Sequence, residues 1–245
     1  MIILNKKGLF RLSIGIVFIL FIATINYNAV DNSLTEEDLQ YIPKFLVGLE
    51  PLAKNSTYSD ELKFIRLVLR AVINIAPNGK LGDGIEYGGI PFNQEREPRD
   101  LFLKKGGACF DRSRTLEKIF RYYGFETRHI ALYTKFNRSA TITLLTPGAS
   151  SHSLLEVLTR EGWLIVDSNL PWISINKSGH PVSIYDIWSG IENNVPIGWE
   201  SEPPWWQYRV PFTFVYGLYS RHGRFYPPYN FVPDINVSEF VQNIL

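Results

Sequence analysis

The sequence predicts an α+β fold, with helices first and antiparallel strands after. Three observations predict it. Apolar residues recur at helical spacing as far as Tyr123, as in Leu62, Ile65, Leu69, Val72 and Ile73. Beyond Gly124 the pattern changes to an alternation rich in β-formers, "FETRHIALYT". Two further runs of that type, "HSLLEVLT" and "GWLIVDSN", are separated by Arg160-Glu161, the spacing of a β-hairpin.

In chain order, Ser33-Leu-Thr-Glu36 has the form of a capping box and opens a first helix toward Leu49. A second helix starts near Ser59 and stops at Pro77. Glycines, prolines and charges crowd residues 78–100, which read as a long loop. The third helix runs from about Cys109 to Tyr123. Leu116, Ile119, Phe120 and Tyr123 form its apolar face, and Gly124 is a natural residue just past its end. "FETRHIALYT" is the first strand, "ATITLL" (residues 140–145) a short strand candidate, and the hairpin follows. From Pro171 to Leu245 periodicity is weak and prolines and aromatics are dense. There "FTFVYGLY", Phe212 to Tyr219, can extend the sheet, and most of the rest reads as loops over the core.

The chain has 245 residues, enough for one sizeable domain with appendages. Its formal net charge of +1 supplies no field to recruit nucleic acid. The N-terminus is distinctive: Lys6, Lys7 and Arg11 precede the uncharged run Leu12 to Ile25. Residues 1–8 read as a basic cytoplasmic stub and 9–27 as a single membrane anchor. A cleaved signal is the alternative, although Tyr27 spoils the small-x-small pattern before Ala29. Either way the domain is exported, to a periplasmic or cell-surface location. Residues 28–57 form a linker and first helix, 58–170 the core, and 171–245 an aromatic and Pro-rich extension packed on it.

Cys109 is the only cysteine, so no internal disulfide is available to an exported chain. It stands at the first turn of the third helix, where unpaired N–H groups and the helix dipole favour an anion. Gly106 and Gly107 permit a sharp entry to it. A free cysteine is equally at home as a small buried hydrophobe. A thiolate nucleophile needs a base, and the base needs an orienting group. His152 opens the first hairpin strand and Asp167 closes the second. With the two-residue loop Arg160-Glu161, His152 lies opposite Asn169 and diagonal to Asp167, within side-chain reach. That is the arrangement of a Cys-His-Asp triad. His129 has no evident carboxylate partner, and His180 and His222 sit in glycine-containing loops. The scattered histidines and lone cysteine give no metal-ligand spacing, and no cofactor motif is present. Trp172, Trp188, Trp199, Trp205 and Trp206 can stack on sugars or pack the irregular extension, and packing is the reading adopted.

"GGACFDRSRTLEKIFRYYGFETRHIALY" followed by "SHSLLEVLTREGWLIVDSN" resembles the transglutaminase-like domain of the papain-like cysteine enzymes, over roughly residues 60–170. The resemblance implies Cys109 as nucleophile, His152 as base and acid, and Asp167 as the residue orienting the histidine. Gly107, Gly124, Arg128 and Trp163 match framing positions. The histidine is not followed by the family's frequent aromatic, and Ser168-Asn169 stand where Pro-Thr is frequent. The fold it implies is a papain-like core of helices on an antiparallel sheet. The implied activity is attack on an amide or peptide bond through a thioester, with hydrolysis preferred to amine transfer and no cofactor. A protein, peptide or cell-envelope component is the expected substrate. The alternative is an inactive module serving as a scaffold or glycan-binding partner. Tyr87, Asn93 and Gln94 are candidate oxyanion or substrate-binding residues, with Trp163 and Asn169.

Overall fold

The computed structural model describes residues 29–53, 55–77, 96–229 and 232–244. Four helices precede the first strand of the main sheet among these residues: α1 (Glu36–Phe45), α2 (Tyr58–Ile75), α3 (Pro98–Lys104) and α4 (Cys109–Tyr122). Then come β1 (Thr127–Thr134), α5 (Ala140–Leu145), β2 (Ser151–Thr159), β3 (Gly162–Val166), α6 (Ile184–Glu192), β4 (Phe212–Tyr216), β5 (Leu218–Tyr219), β6 (Asp234–Ile235) and α7 (Val237–Phe240). The main sheet is antiparallel throughout, in the order β3-β2-β1-β4, and β5 pairs with β6 separately. This is the expected α+β order of helices, then antiparallel strands.

Alternation along the strands divides the core. Leu155, Val157, Leu164 and Val166 meet Leu116, Ile119 and Phe120 of α4 and the apolar stripe of α2. Their neighbours Leu154 and Ile165 join Ile130, Leu132, Ile184, Ile187 and Tyr208 in a second cluster. Trp172 belongs to that cluster, and Trp188, Trp199 and Trp205 pack against it. The packing reading of the tryptophans therefore holds for these four, while Trp206 remains 45% exposed.

Several local expectations need correction. The first helix is capped by Thr35, which accepts from Asp38 N–H, while Ser33 turns to Asp31. That helix ends at Phe45 rather than near Leu49, and Gly48 takes φ +83° in the following turn. Residues 78–95 of the expected loop lie outside the described residues, but its end forms α3, with Pro98 in the first turn. "ATITLL" is a helix, not a strand. The Ser139 side chain accepts from Ile142 N–H, and Thr143 and Thr146 return their hydroxyls to carbonyls one turn back. The extension contains α6, capped by Ser183 and Asp186, where loops were expected. "FTFVYGLY" divides: Phe212–Tyr216 extends the main sheet beside β1, and Leu218–Tyr219 joins β6.

Residues 29–33 are not a free linker. Val30 N–H bonds to Ile235 C=O at 3.0 Å, and Asn32 is buried between Glu117, Glu239, Tyr219 and Arg114. An amide side chain that satisfies four polar neighbours anchors the segment to α4. The expected membrane segment, residues 9–27, lies outside the described residues. Among the described residues no helix is long and apolar enough to cross a membrane.

Candidate active site

The site is built at the N-terminus of α4. Asp111, in its first turn, accepts from Ala108 N–H at 2.8 Å, and Arg96 Nε faces its other oxygen at 3.1 Å. Gly107 is required by close packing: a Cβ there would lie 2.6 Å from Leu101 Cδ1 and 3.0 Å from Asp111 Cβ. Among the described residues Gly106 is under no such constraint, since its added Cβ would meet only Pro77 O at 3.8 Å. Cys109 follows, partly exposed, on the first turn of the helix.

The hairpin has the expected register. Leu158 pairs with Trp163 and Leu155 with Val166, closed by the two residues Arg160 and Glu161. β3 stops at Val166, and Asp167 begins the loop beyond it. His152 Nε2 lies 3.0 Å from Asp167 Oδ2, and the imidazole lines the same cavity as Cys109, with which it interacts electrostatically. Because Asp167 occupies Nε2, Nδ1 is the nitrogen left for sulfur. Burial disfavours the charged imidazole, but the Asp167 carboxylate, its hydrogen bond and Cys109 outweigh this and raise the His152 pKa to about 10. Asp167 is also buried, yet His152 and its other donors hold its pKa below the usual value. Those donors are Tyr208 Oη at 2.8 Å on Oδ2, and the N–H groups of Asn169 and Leu170 at 2.7 and 2.9 Å on Oδ1.

Arg112, one turn beyond Cys109 and fully buried, ties the parts together. Its Nη1 donates to Gly107 C=O at 2.5 Å, its Nε to Ser168 C=O at 2.5 Å, and its Nη2 to Asn169 Oδ1. It thereby joins the glycine entry of α4 to the loop that carries Asp167. Burial pulls its pKa down, opposed by the facing charges of Cys109, Asp111 and Asp167.

Cys109 and His152 open into a cavity of about 470 Å³. Its walls include Asn169, Trp205, Trp206, Gln207 and Phe225. The Trp205 ring centroid is 5.8 Å from that of His152, and its buried Nε1–H finds no acceptor among the described residues. The segment "WWQY", Trp205 to Tyr208, thus supplies two cavity walls, a polar side chain and a donor to Asp167. The sequence marks Trp205 and Trp206 by their aromatic rings but not Tyr208, and nothing local marks Arg112.

No family model matches this chain, and no curated protein matches it.

Of the other candidates, Asn169 is in the cavity wall. Trp163 is outside it, because it sits at the far end of β3, stacked on the Arg128 guanidinium at 4.1 Å. Tyr87, Asn93 and Gln94 lie outside the described residues. His129 is a core histidine: Nε2 meets Ser153 Oγ at 3.0 Å, its ring stacks on Tyr219, and burial lowers its pKa to about 4. His180 pairs with Glu161, and His222 with Asp234, and neither lines the Cys109 cavity. Among the described residues no His, Cys, Asp and Glu cluster could hold a metal.

Proposed function

We propose that this chain is a cysteine hydrolase of the transglutaminase-like, papain-like kind, acting on an amide or peptide carbonyl. The observation that carries the reading is one constellation: Cys109 on a helix N-terminus, the His152 imidazole on the wall of the same cavity, and Asp167 at 3.0 Å behind the imidazole. The raised His152 pKa means that the imidazole carries a proton at neutral pH. The α4 dipole and the imidazolium set two positive potentials on the side of the site that carries the Cys109 sulfur.

In the proposed cycle Cys109 Sγ attacks the carbonyl carbon, and the carbonyl π electrons move to oxygen. The first-turn N–H groups of α4 lack intrahelical acceptors, which makes Cys109 N–H a donor for that oxyanion. The C–N bond then breaks, His152 gives its proton to the leaving nitrogen, and a thioester remains. Water attacks the thioester, His152 takes its proton, and the C–S bond breaks to release the acid. Asp167 keeps the imidazole oriented throughout. Amine transfer would follow the same course with an amine replacing water. The proposed setting is extracytoplasmic, on an N-terminal membrane anchor, because of the basic-then-apolar pattern of residues 6–25.

Alkylation of Cys109 by iodoacetamide, followed by intact mass, tests this reading. Wild type should react readily at pH 7, C109A should not react, and H152A should be slower by about 10-fold or more. Wild-type Cys109 that is inert, or that reacts no faster than in H152A, would replace the enzyme with a non-catalytic module.

A further inference from the structure

The cavity at Cys109 does not end at Trp206. The same indole forms a wall of a second hollow of about 260 Å³, lined also by Phe136, Val210 and Pro211. Phe136 is 56% exposed, and its ring centroid is 5.6 Å from that of Trp206. The backbone supports this display at a cost. Phe136 has φ +43° and Asn137 has φ +62°, a region that bulky side chains rarely adopt. The turn is pinned on both sides, by Lys135 N–H on Pro211 C=O at 2.9 Å and by Arg138 N–H on Lys135 C=O at 2.8 Å. A strained backbone that holds a large apolar ring in solvent contributes little to the core, and a contiguous exposed aromatic pair beside a reactive centre marks a recognition surface.

Charge narrows the ligand. Apart from Cys109 and His152, no described residue lining either hollow carries an ionisable carboxylate, ammonium or guanidinium. The other polar groups are neutral side chains: Ser150, Ser151, Asn169, Gln207 and the phenol Tyr226 at the first, Thr134 and Asn137 at the second. Such groups match amide N–H and C=O groups without requiring a charge to be desolvated.

We propose that the two hollows form one substrate groove for an uncharged, extended peptide-like chain, with apolar side chains on either side of Trp206, and that Trp206 with Phe136 determines specificity. This rests on the reading of Cys109 as an activated nucleophile and adds the substrate class to it.

The test is saturation kinetics of Cys109 alkylation in the full-length protein, using iodoacetyl dipeptide amides of Phe-Phe, Glu-Glu and Lys-Lys. The Phe-Phe probe should half-saturate at a concentration lower by about tenfold or more than either charged probe, the scale of one or two aromatic contacts. F136A and W206A should each raise the Phe-Phe value several-fold relative to the Glu-Glu value in the same variant. Equal half-saturation for the three probes on wild type overturns the groove, and that comparison needs no variant to fold. Unchanged Phe-Phe selectivity in both F136A and W206A removes the role of Trp206 and Phe136. Failure of the nucleophile reading looks different: iodoacetamide itself would then react equally with wild type and H152A, whatever the order of the dipeptide probes.

Discussion

Tyr208 donates its hydroxyl to Asp167 Oδ2 at 2.8 Å, the same oxygen that faces His152 Nε2 at 3.0 Å. Burial, followed by the charge and hydrogen bond of Asp167, pushes the Tyr208 pKa well above its ordinary value, so the phenol stays a donor at every working pH. Asp167 thus has four donors around a fully buried carboxylate. Y208F keeps the ring stacked on Trp172 within the second core cluster but removes one of those donors. A hydrogen bond to a buried charge contributes about 1.5–3 kcal/mol. Y208F should therefore melt roughly 5 °C lower. An unchanged melting temperature in scanning calorimetry would mean that the phenol contributes nothing to holding Asp167.

The sign of the His152 shift gives a second expectation. Its folded value of about 10 lies above the ~6.5 of an unfolded imidazole. Between those values the folded state holds the extra proton, so this contribution is full below ~6.5 and is lost as pH rises through about 10. D167N removes the charge that overcomes burial, and His152 should then lose its proton near or below neutrality. Urea midpoints for wild type should fall between pH 6.5 and pH 10 more steeply than those for D167N. Carbamidomethylation of Cys109 at pH 7 should slow in D167N as well. Parallel midpoints for the two proteins would show that Asp167 does not set the charge of His152.

The parts that could be read from the sequence are those fixed by local periodicity. The third helix was expected from Cys109 to Tyr123 and runs from Cys109 to Tyr122, because its apolar face and Gly124 are local signals. The hairpin was legible because two residues at its tip fix the parity of every pair behind it, and this set His152 near Asp167. "ATITLL" misled because six apolar and β-branched residues fit either state, and Ser139 decided it by capping. Arg112 and Tyr208 were invisible as site residues because their partners lie 57 and 41 positions away. Residues 29–33 looked like a linker because the partners that bury Asn32, among them Glu117, Tyr219, Glu239 and Arg114, arrive from distant elements.

The two glycines before Cys109 should respond differently to one methyl group. G107A places Cβ 2.6 Å from Leu101 Cδ1 and 3.0 Å from Asp111 Cβ, so either α3 or the first turn of α4 must move. Overpacking of this kind costs about 1–3 kcal/mol. Because Asp111 belongs to the same turn as Cys109, alkylation should also slow. Among the described residues G106A meets only Pro77 O, at 3.8 Å, and should melt close to wild type. Equal behaviour of the two variants in melting and alkylation would refute the role assigned to Gly107.

The clamp on the other end of α4 titrates as well. Asn32 Nδ2 donates to Glu117 Oε1 at 2.8 Å and to Glu239 Oε1 at 2.6 Å, and Tyr219 Oη lies 2.7 Å from Glu117 Oε1. Burial, and then the charge of Glu117, raises the Glu239 pKa to about 9, while Arg114 and its other neighbours hold Glu117 below its ordinary value. The folded state therefore keeps a proton on Glu239 that the unfolded chain releases above ~4.3, and stability declines as pH rises from there toward about 9. Gln has the shape and neutrality of that protonated side chain and cannot ionise. E239Q should accordingly gain on wild type as pH rises, with its urea midpoint moving upward relative to wild type between pH 5 and pH 9. A constant offset between the two proteins across that range would mean that Glu239 ionises equally in the folded and unfolded chain, and the proton assigned to Glu239 in this clamp would be wrong.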